Sequence, residues 1–358
     1  MTLEQLLHAP QYSLRQEHKE GILLNHLNAL TSLHRRQCPP YKRVTDLLFP
    51  RGEARTLAGV PYLPAGIFKS QTLSSVPDSD VFRVLTSSGT TGQRVSRIIL
   101  DKSTALLQTT ALSRIMMHVL GGERLPMLIV DSQSVLRDKT QPSARAAAAL
   151  GMMNFGRHHF FALDEKLDLQ EEGLNRFLAE FAYAPFFVFG FTFLLWSSFY
   201  RRLEHAGRDF SRAILVHGGG WKKMRDIAVD NAGFKQAFRK SMGLRRIYNF
   251  YGMAEQAGSV FLEGDDGLLY APNFADVIVR DPITWQEVPL GVPGLLQVVS
   301  LLPHSYPGHS ILTEDMGIVD SIDSGTGGRY GKAFRVLGRL PQAELRGCSD
   351  VHAAELAA

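Results

Sequence analysis

The run Thr86-Ser87-Ser88-Gly89-Thr90-Thr91-Gly92-Gln93 gathers hydroxyls and glycines between two apolar stretches. Glycines permit a loop whose backbone N–H groups converge, and the hydroxyls add donors, which is what a polyphosphate needs. A Walker A loop or a dinucleotide-binding fingerprint would open a helix, whereas Gln93-Arg94 leads into an apolar strand, so both are disfavoured. A polar hairpin turn is the plainer alternative, but it seldom carries so many hydroxyls. His217-Gly218-Gly219-Gly220-Trp221-Lys222 follows another apolar stretch. Consecutive glycines cost conformational entropy and let a flat ligand approach the backbone; the competing reading is a flexible turn. In Tyr251-Gly252-Met253-Ala254-Glu255 the carboxylate suits Mg²⁺ and the tyrosine could lie against a base, although the same pattern alone describes an ordinary turn. In Thr313-Glu314-Asp315 the aspartate can accept both hydroxyls of a ribose, and Arg339 of Gly338-Arg339 can hold ribose or phosphate oxygens. Each of these alone could be a turn carboxylate or a surface cation.

These residues need elements to hold them. At 358 residues the chain suggests about two domains, or one large α/β body with an appendage. Short apolar strands are expected over 81–86, 94–100, 126–130, 213–217 and 246–250, alternating with helices over 103–119, 143–151, 169–182 and 222–241, which gives a layered α/β body. Residues 275–280, 294–301 and 316–320 read as a β-rich portion. The boundaries follow: a helical N-terminal cap over 1–80, an α/β nucleotide-binding body over 81–268, a β-rich subdomain over 269–340 and a tail over 341–358. The uncharged run 182–200 is long enough to cross a bilayer, but Pro185, Gly190 and Thr192 divide it into a buried strand over 185–189 and a helix, so no membrane span is expected.

Composition narrows the class. With 39 Lys+Arg against 35 Asp+Glu and no long basic run, nucleic acid is not an expected partner. Only Cys38 and Cys348 are present, which argues against a disulfide framework and for a reducing cytoplasm; the first residues do not read as a secretory signal, so export is not expected. His158 and His159 are adjacent rather than one helical turn apart, so they form no metal pair.

Taken in order, the hydroxyl loop, the triple glycine, Tyr251-Gly252-x-x-Glu255, Thr313-Glu314-Asp315 and Gly338-Arg339 resemble the adenylate-forming enzymes. Pro64-Ala65-Gly66-Ile67-Phe68-Lys69, Gly190-Phe191-Thr192-Phe193, His217-Gly218-Gly219-Gly220-Trp221-Lys222 and the ending Ala343-Glu344-Leu345-Arg346-Gly347-Cys348-Ser349-Asp350 make the chain similar to the LuxE-type acyl-protein synthetases, long-chain fatty-acid protein ligases within that superfamily. The resemblance implies an α/β body like the N-terminal domain of adenylate-forming enzymes, with a β-rich subdomain and without their mobile C-terminal domain. It also implies ATP and Mg²⁺ as cofactors. Thr86, Ser87, Ser88, Gly89, Thr90, Thr91 and Gly92 would hold the phosphates; Gly218, Gly219, Gly220, Tyr251 and Gly252 would line the adenine; Asp315 and Arg339 would hold the ribose; and Glu255 would bind the metal. Gly190, Phe191, Thr192 and His217 would lie near a carboxylic acid, most naturally a fatty acid. Cys348 would receive the acyl group and pass it to an acceptor protein such as a reductase, and Lys222 or Lys69 would replace the catalytic lysine of the mobile domain. The chemistry is coherent, because a carboxylate becomes electrophilic only once activated and a thiolate can attack the mixed anhydride. Two alternatives remain open: direct loading of coenzyme A or a carrier-protein thiol, with Cys348 incidental, and a nucleotide-binding subunit without catalysis.

Overall fold

The computed structural model describes residues 1–49, 52–87, 95–137, 143–221 and 228–340. Its contacts divide the chain into two units, one of 1–87, 93–115 and 251–344, the other of 88–92, 116–250 and 345–358.

The first unit begins with helices α1 (Leu3–His8), α2 (Gln16–Gln37) and α3 (Pro39–Leu48). Thr2 opens α1 with a capping box, its hydroxyl accepting from Gln5 N while the Gln5 side chain accepts from Thr2 N, which satisfies donors that a helix start otherwise leaves bare. Along α2, Leu23, Leu27 and Leu30 recur on one face and are buried. That face shares a core with Leu6, Leu57 and Val60, with Ile278 and Val299 of the strands described below, and with Leu301 just past one of them. Each buried leucine of this kind contributes about 1.5–3 kcal/mol. Strand β1 (Leu63–Pro64), helix α4 (Ile67–Ser70), the hairpin β2 (Arg83–Thr86) and β3 (Arg97–Leu100), and the start of helix α5 (Lys102–Leu120) follow.

The second unit holds β4 (Leu125–Ser132), α6 (Ala144–Met153), β5 (Gly156–Leu163), α7 (Glu171–Phe181), β6 (Phe186–Phe191), the short helices α8 (Thr192–Leu194) and α9 (Arg201–Leu203), β7 (Ala213–Gly218), α10 (Asn231–Met242) and β8 (Arg246–Tyr251). Its strands are all parallel, in the order β8-β7-β6-β4-β5. Strands covered on both faces read as unbroken apolar runs, as Phe186-Phe187-Val188-Phe189 does. The run 182–200 therefore resolves into β6, α8 and a π-helical turn, Leu195–Tyr200, and among the described residues no helix is long and apolar enough to cross a membrane. Arg145 in α6 clasps the Asp131 carboxylate at the end of β4, Nε to Oδ2 at 2.7 Å, with both side chains buried. Helix α10 starts at an Asp230 cap and stops at Gly243, whose φ of 69° few other residues adopt cheaply.

The chain then returns to the first unit through β9 (Phe261–Glu263), β10 (Leu269–Tyr270), β11 (Ala275–Arg280), β12 (Gly294–Ser300), β13 (Ser310–Ile322) and β14 (Lys332–Arg339). Successive antiparallel pairings link β11-β12-β13-β14-β10-β9, and β1 lies parallel to β13. Beneath them Lys19 is fully buried, its Nζ donating to Ala271 O at 3.1 Å; burial lowers its pKa, while Asp276 opposes that shift.

The expected strands are present with shifted ends, and the differences have local causes. β13 runs well beyond 316–320 because its polar middle, Thr313-Glu314-Asp315, is held by pairing on both sides that local hydrophobicity does not report. β5 was not expected: it opens with exposed Arg157-His158-His159, and His158 has a φ of 50° at a shift in pairing register. The helix expected over 222–241 begins only at Asn231; residues 222–227 lie outside the described ones.

Candidate active site

In the first unit the antiparallel pairing of β13 with β14 sets Asp315 opposite Arg339. Arg339 Nε donates to Asp315 Oδ1 at 3.3 Å and the Tyr251 hydroxyl donates to Asp315 Oδ2 at 2.7 Å. Three residues distant in sequence thus share one carboxylate. The Asp315 backbone is fixed in turn, since Asp315 N donates to Thr313 Oγ1 and the Thr313 hydroxyl to Leu296 O. Tyr251 packs its ring near Phe261 and Phe334, and burial, reinforced by the Asp315 charge, raises its pKa well above the ordinary tyrosine value, so it stays a donor. Each Asp315 oxygen retains a lone pair for a further hydroxyl, as a ribose diol requires.

Glu255 sits in the turn Ala254–Gln256 just after β8 and is 7% exposed. Its main chain is locked by the Tyr306 hydroxyl, which donates to Glu255 O at 2.9 Å. Burial raises the Glu255 pKa, while the Ser96 hydroxyl, Lys69 and Arg339 favour the charged form. Lys69 arrives there because β1 pairs with β13, Leu63 beside Ile311 and Pro64 beside Leu312, and Ala65 N donates to Leu312 O before α4 begins. Ser96 arrives through the β2–β3 hairpin: Ser96 N donates to Ser87 Oγ at 2.9 Å and Ser87 N to Ser96 O at 3.1 Å. Thr86 and Ser87 therefore close the base of the hydroxyl loop, whereas Ser88, Gly89, Thr90, Thr91 and Gly92 lie outside the described residues.

No group of three or more His, Cys, Asp or Glu side chains gathers among the described residues. A Mg²⁺ ion does not need one, because it commonly keeps its waters and takes one or two carboxylates together with substrate phosphates. Glu255 fits that role, being a buried carboxylate whose charged form burial disfavours and a bound cation would offset.

In the second unit, Thr192 at the start of α8 and His217 near the end of β7 are joined. The Thr192 hydroxyl donates to Gly218 O at 3.1 Å, so it accepts from His217 Nδ1–H at 3.0 Å. That fixes the neutral tautomer with a bare Nε2, which is buried and unpartnered. Burial, with Lys235 nearby, pushes the His217 pKa down to about 3. The glycines nearby have separate uses. A Cβ at Gly190 would lie 2.9 Å from Val130 Cβ, and one at Gly218 would lie 2.7 Å from the Phe250 ring. Gly219, with a φ of 82°, would bring its Cβ to 3.2 Å from Phe191, while Gly220 has nothing within 4 Å. Close approach by a ligand thus remains open at Gly220, whereas aromatic rings fill the space at Gly218 and Gly219. At Gly252 a Cβ would make only ordinary contacts.

Two more site residues chosen from the sequence, Lys222 and Cys348, also lie outside the described residues. Ser96 was not foreseen. Its only signal is a polar residue at the mouth of an apolar strand, shortly after the hydroxyl loop.

Comparison with known proteins gives the family and the fold. The family model described as acyl-protein synthetase, LuxE, matches residues 4–357. A long-chain-fatty-acid–luciferin-component ligase of Vibrio harveyi is 23% identical over 339 residues, covering 86% of this chain and 81% of the relative. The protein of the same name from Aliivibrio fischeri is also 23% identical, over 300 residues, covering 82% and 78% respectively. Among solved structures, 2-hydroxyisobutyryl-CoA ligase in an open conformation, in complex with 2-HIB-AMP and CoA, superposes with a TM-score of 0.70 at 17% identity, covering 92% of this chain and 77% of that one. The same ligase in its postadenylation state with 2-HIB-AMP also gives 0.70 at 17% identity, covering 97% and 74%. At that identity the likeness is one of fold, and the fold is that of the adenylate-forming ligases.

Proposed function

The chain belongs to the LuxE family of acyl-protein synthetases, and from that premise we propose that it activates a fatty or other apolar carboxylic acid with ATP and transfers the acyl group to the Cys348 thiol for delivery to an acceptor protein. The Vibrio and Aliivibrio relatives, named for joining a long-chain fatty acid to a luciferin component, support both the acid and a protein acceptor. The observation that carries the reading is the shared carboxylate of Asp315, engaged by Tyr251 and Arg339, in the same unit as buried Glu255.

In the first half-reaction the acid's carboxylate attacks the α-phosphorus of ATP, forming acyl-adenylate and releasing pyrophosphate. Asp315 orients the ribose through its free lone pairs, and Arg339 and Lys69 offset negative charge that builds on the phosphate oxygens. Thr86 and Ser87 anchor the loop assigned to the phosphates. Mg²⁺, held by Glu255, would supply a Lewis acid for the pyrophosphate leaving group. Phe191, Thr192 and His217 are assigned to the acid's side, where the neutral imidazole offers an acceptor but no charge. In the second half-reaction the Cys348 thiolate attacks the acyl carbon; the C–O bond to AMP breaks, AMP keeps the electron pair, and a thioester remains.

Incubation with ATP, Mg²⁺ and a radiolabelled fatty acid tests this. Label that survives denaturation and disappears in Cys348→Ser is expected. Acyl-CoA formation of equal efficiency in the wild type and in Cys348→Ser, without labelled protein, would instead assign coenzyme A as the acceptor.

A further inference from the structure

Glu255 lies in the short turn Ala254–Gln256, which has no run of helical hydrogen bonds to fix its direction. The segment between β12 and β13 does so instead. The Tyr306 hydroxyl donates to Glu255 O at 2.9 Å, and Gly308 O accepts from the side-chain amide of Gln256 at 2.8 Å, while that amide also donates to Val298 O at 3.1 Å. The approach is close: a Cβ at Gly308 would lie 2.8 Å from Glu255 O, so any side chain there would push the turn away. The segment is itself anchored from three directions. His34 Nε2–H in α2 donates to Pro303 O at 3.1 Å, Ser75 N donates to Ser305 O at 2.8 Å, and the Ser305 hydroxyl donates to Ile99 O in β3 at 2.8 Å. Tyr306 is fully buried, and its ring meets Phe68 in a T-shaped contact with centroids 6.2 Å apart. Phe68 belongs to α4, the helix that carries Lys69. One side chain thus braces the Glu255 turn with its hydroxyl and the Lys69 helix with its ring.

We propose that Tyr306 is a positioning residue for the divalent cation: by holding the Glu255 main chain it sets that carboxylate for the metal, without touching metal or nucleotide itself. The inference rests on the functional reading above, which assigns Glu255 to the metal, and extends it to a residue outside every motif singled out in the sequence. Groups that hold a metal ligand from behind change metal affinity by roughly 10–100-fold when they are removed.

Tyr306→Phe removes the hydroxyl and keeps the ring against Phe68. The test is direct binding of Mn²⁺ in the presence of α,β-methylene-ATP, read as enhancement of water-proton relaxation, together with a Mg²⁺ titration of steady-state turnover. Tyr306→Phe should bind Mn²⁺ about ten-fold more weakly than the wild type, with metal-free binding of the analogue unchanged, and saturating Mg²⁺ should restore its kcat. Leu6→Ala, which opens a cavity in the core beneath α1, should lower the melting temperature and leave Mn²⁺ affinity as it was. Wild-type Mn²⁺ affinity in Tyr306→Phe, with Glu255→Gln impaired, overturns the inference and leaves the proposed function standing. Equal weakening in Leu6→Ala, or a Tyr306→Phe kcat that stays low at saturating Mg²⁺, also overturns it, because the loss would then follow stability and not the metal. A wild type that binds no Mn²⁺ with the analogue overturns the proposed function itself.

Discussion

Asp315 is the residue on which the nucleotide half of the account turns, because it is held from both oxygens and its backbone is pinned by Thr313. Tyr251→Phe deletes one charge-assisted hydrogen bond, worth about 1.5–3 kcal/mol, and leaves the ring packing in place. The expected result is a roughly ten-fold or greater loss in kcat/KM for ATP with little change in the acid's KM, measured by steady-state exchange kinetics. An unchanged kcat/KM would show that the Tyr251–Asp315 contact does not orient nucleotide. At this scale the sequence offered Tyr251, Glu255, Asp315 and Arg339 as candidates through the order of their motifs, and the fold brings Tyr251 and Arg339 onto the Asp315 carboxylate. It was silent on Ser96, since a lone serine just ahead of an apolar strand carries no pattern and its meaning comes only from Glu255, whose charged form its hydroxyl favours.

At the scale of elements, the stretch from β7 into the triple glycine separates packing from recognition. Gly218→Ala would drive a Cβ to 2.7 Å from the Phe250 ring and should cost about 1–3 kcal/mol of stability, seen as a lower denaturation midpoint. Gly220→Ala meets nothing within 4 Å and should change stability by less than about 0.5 kcal/mol. If Gly220 is where nucleotide approaches the backbone, that same variant should raise the KM for ATP severalfold; unaltered kinetics would remove Gly220 from the site. A glycine run reads identically in sequence whether it serves a ring or a ligand. Only the neighbours Phe250 and Phe191 distinguish the two uses. The parallel strands were legible because burial on both faces makes them continuous apolar runs. β5 and the polar centre of β13 were not, because their pairing depends on partners far along the chain.

For the whole molecule, buried neutral histidines set the response to acid. His34 accepts from the Ser75 hydroxyl and donates to Pro303 O, it stacks on His309, and burial pushes its pKa down to about 3. His217 is pushed to about 3 by the same cause, and burial holds His309 well below the ordinary histidine value. Each folded pKa lies below the unfolded value of about 6.5. The stability they contribute is therefore complete above that pH and is lost as pH falls below it, for His34 and His217 down toward 3, at about 1.4 kcal/mol per pH unit for each of those two. Melting temperatures measured from pH 7.5 to 5 should fall clearly with acid; a flat profile would mean that these imidazoles are solvated. The class of the molecule was readable from the alternation of strands and helices. How the N-terminal helices share a core with strands beyond residue 270 was not, since that packing joins the two ends of the chain.

Acid-dependent ATP–pyrophosphate exchange reads formation of the acyl-adenylate, with Glu255 and Asp315 at the nucleotide, without needing the acceptor. The wild type should exchange with at least one fatty acid, and Glu255→Ala and Asp315→Ala should lose exchange while melting as folded proteins. Undiminished exchange in either variant, or none in the wild type with any carboxylic acid of a broad panel, would contradict the account.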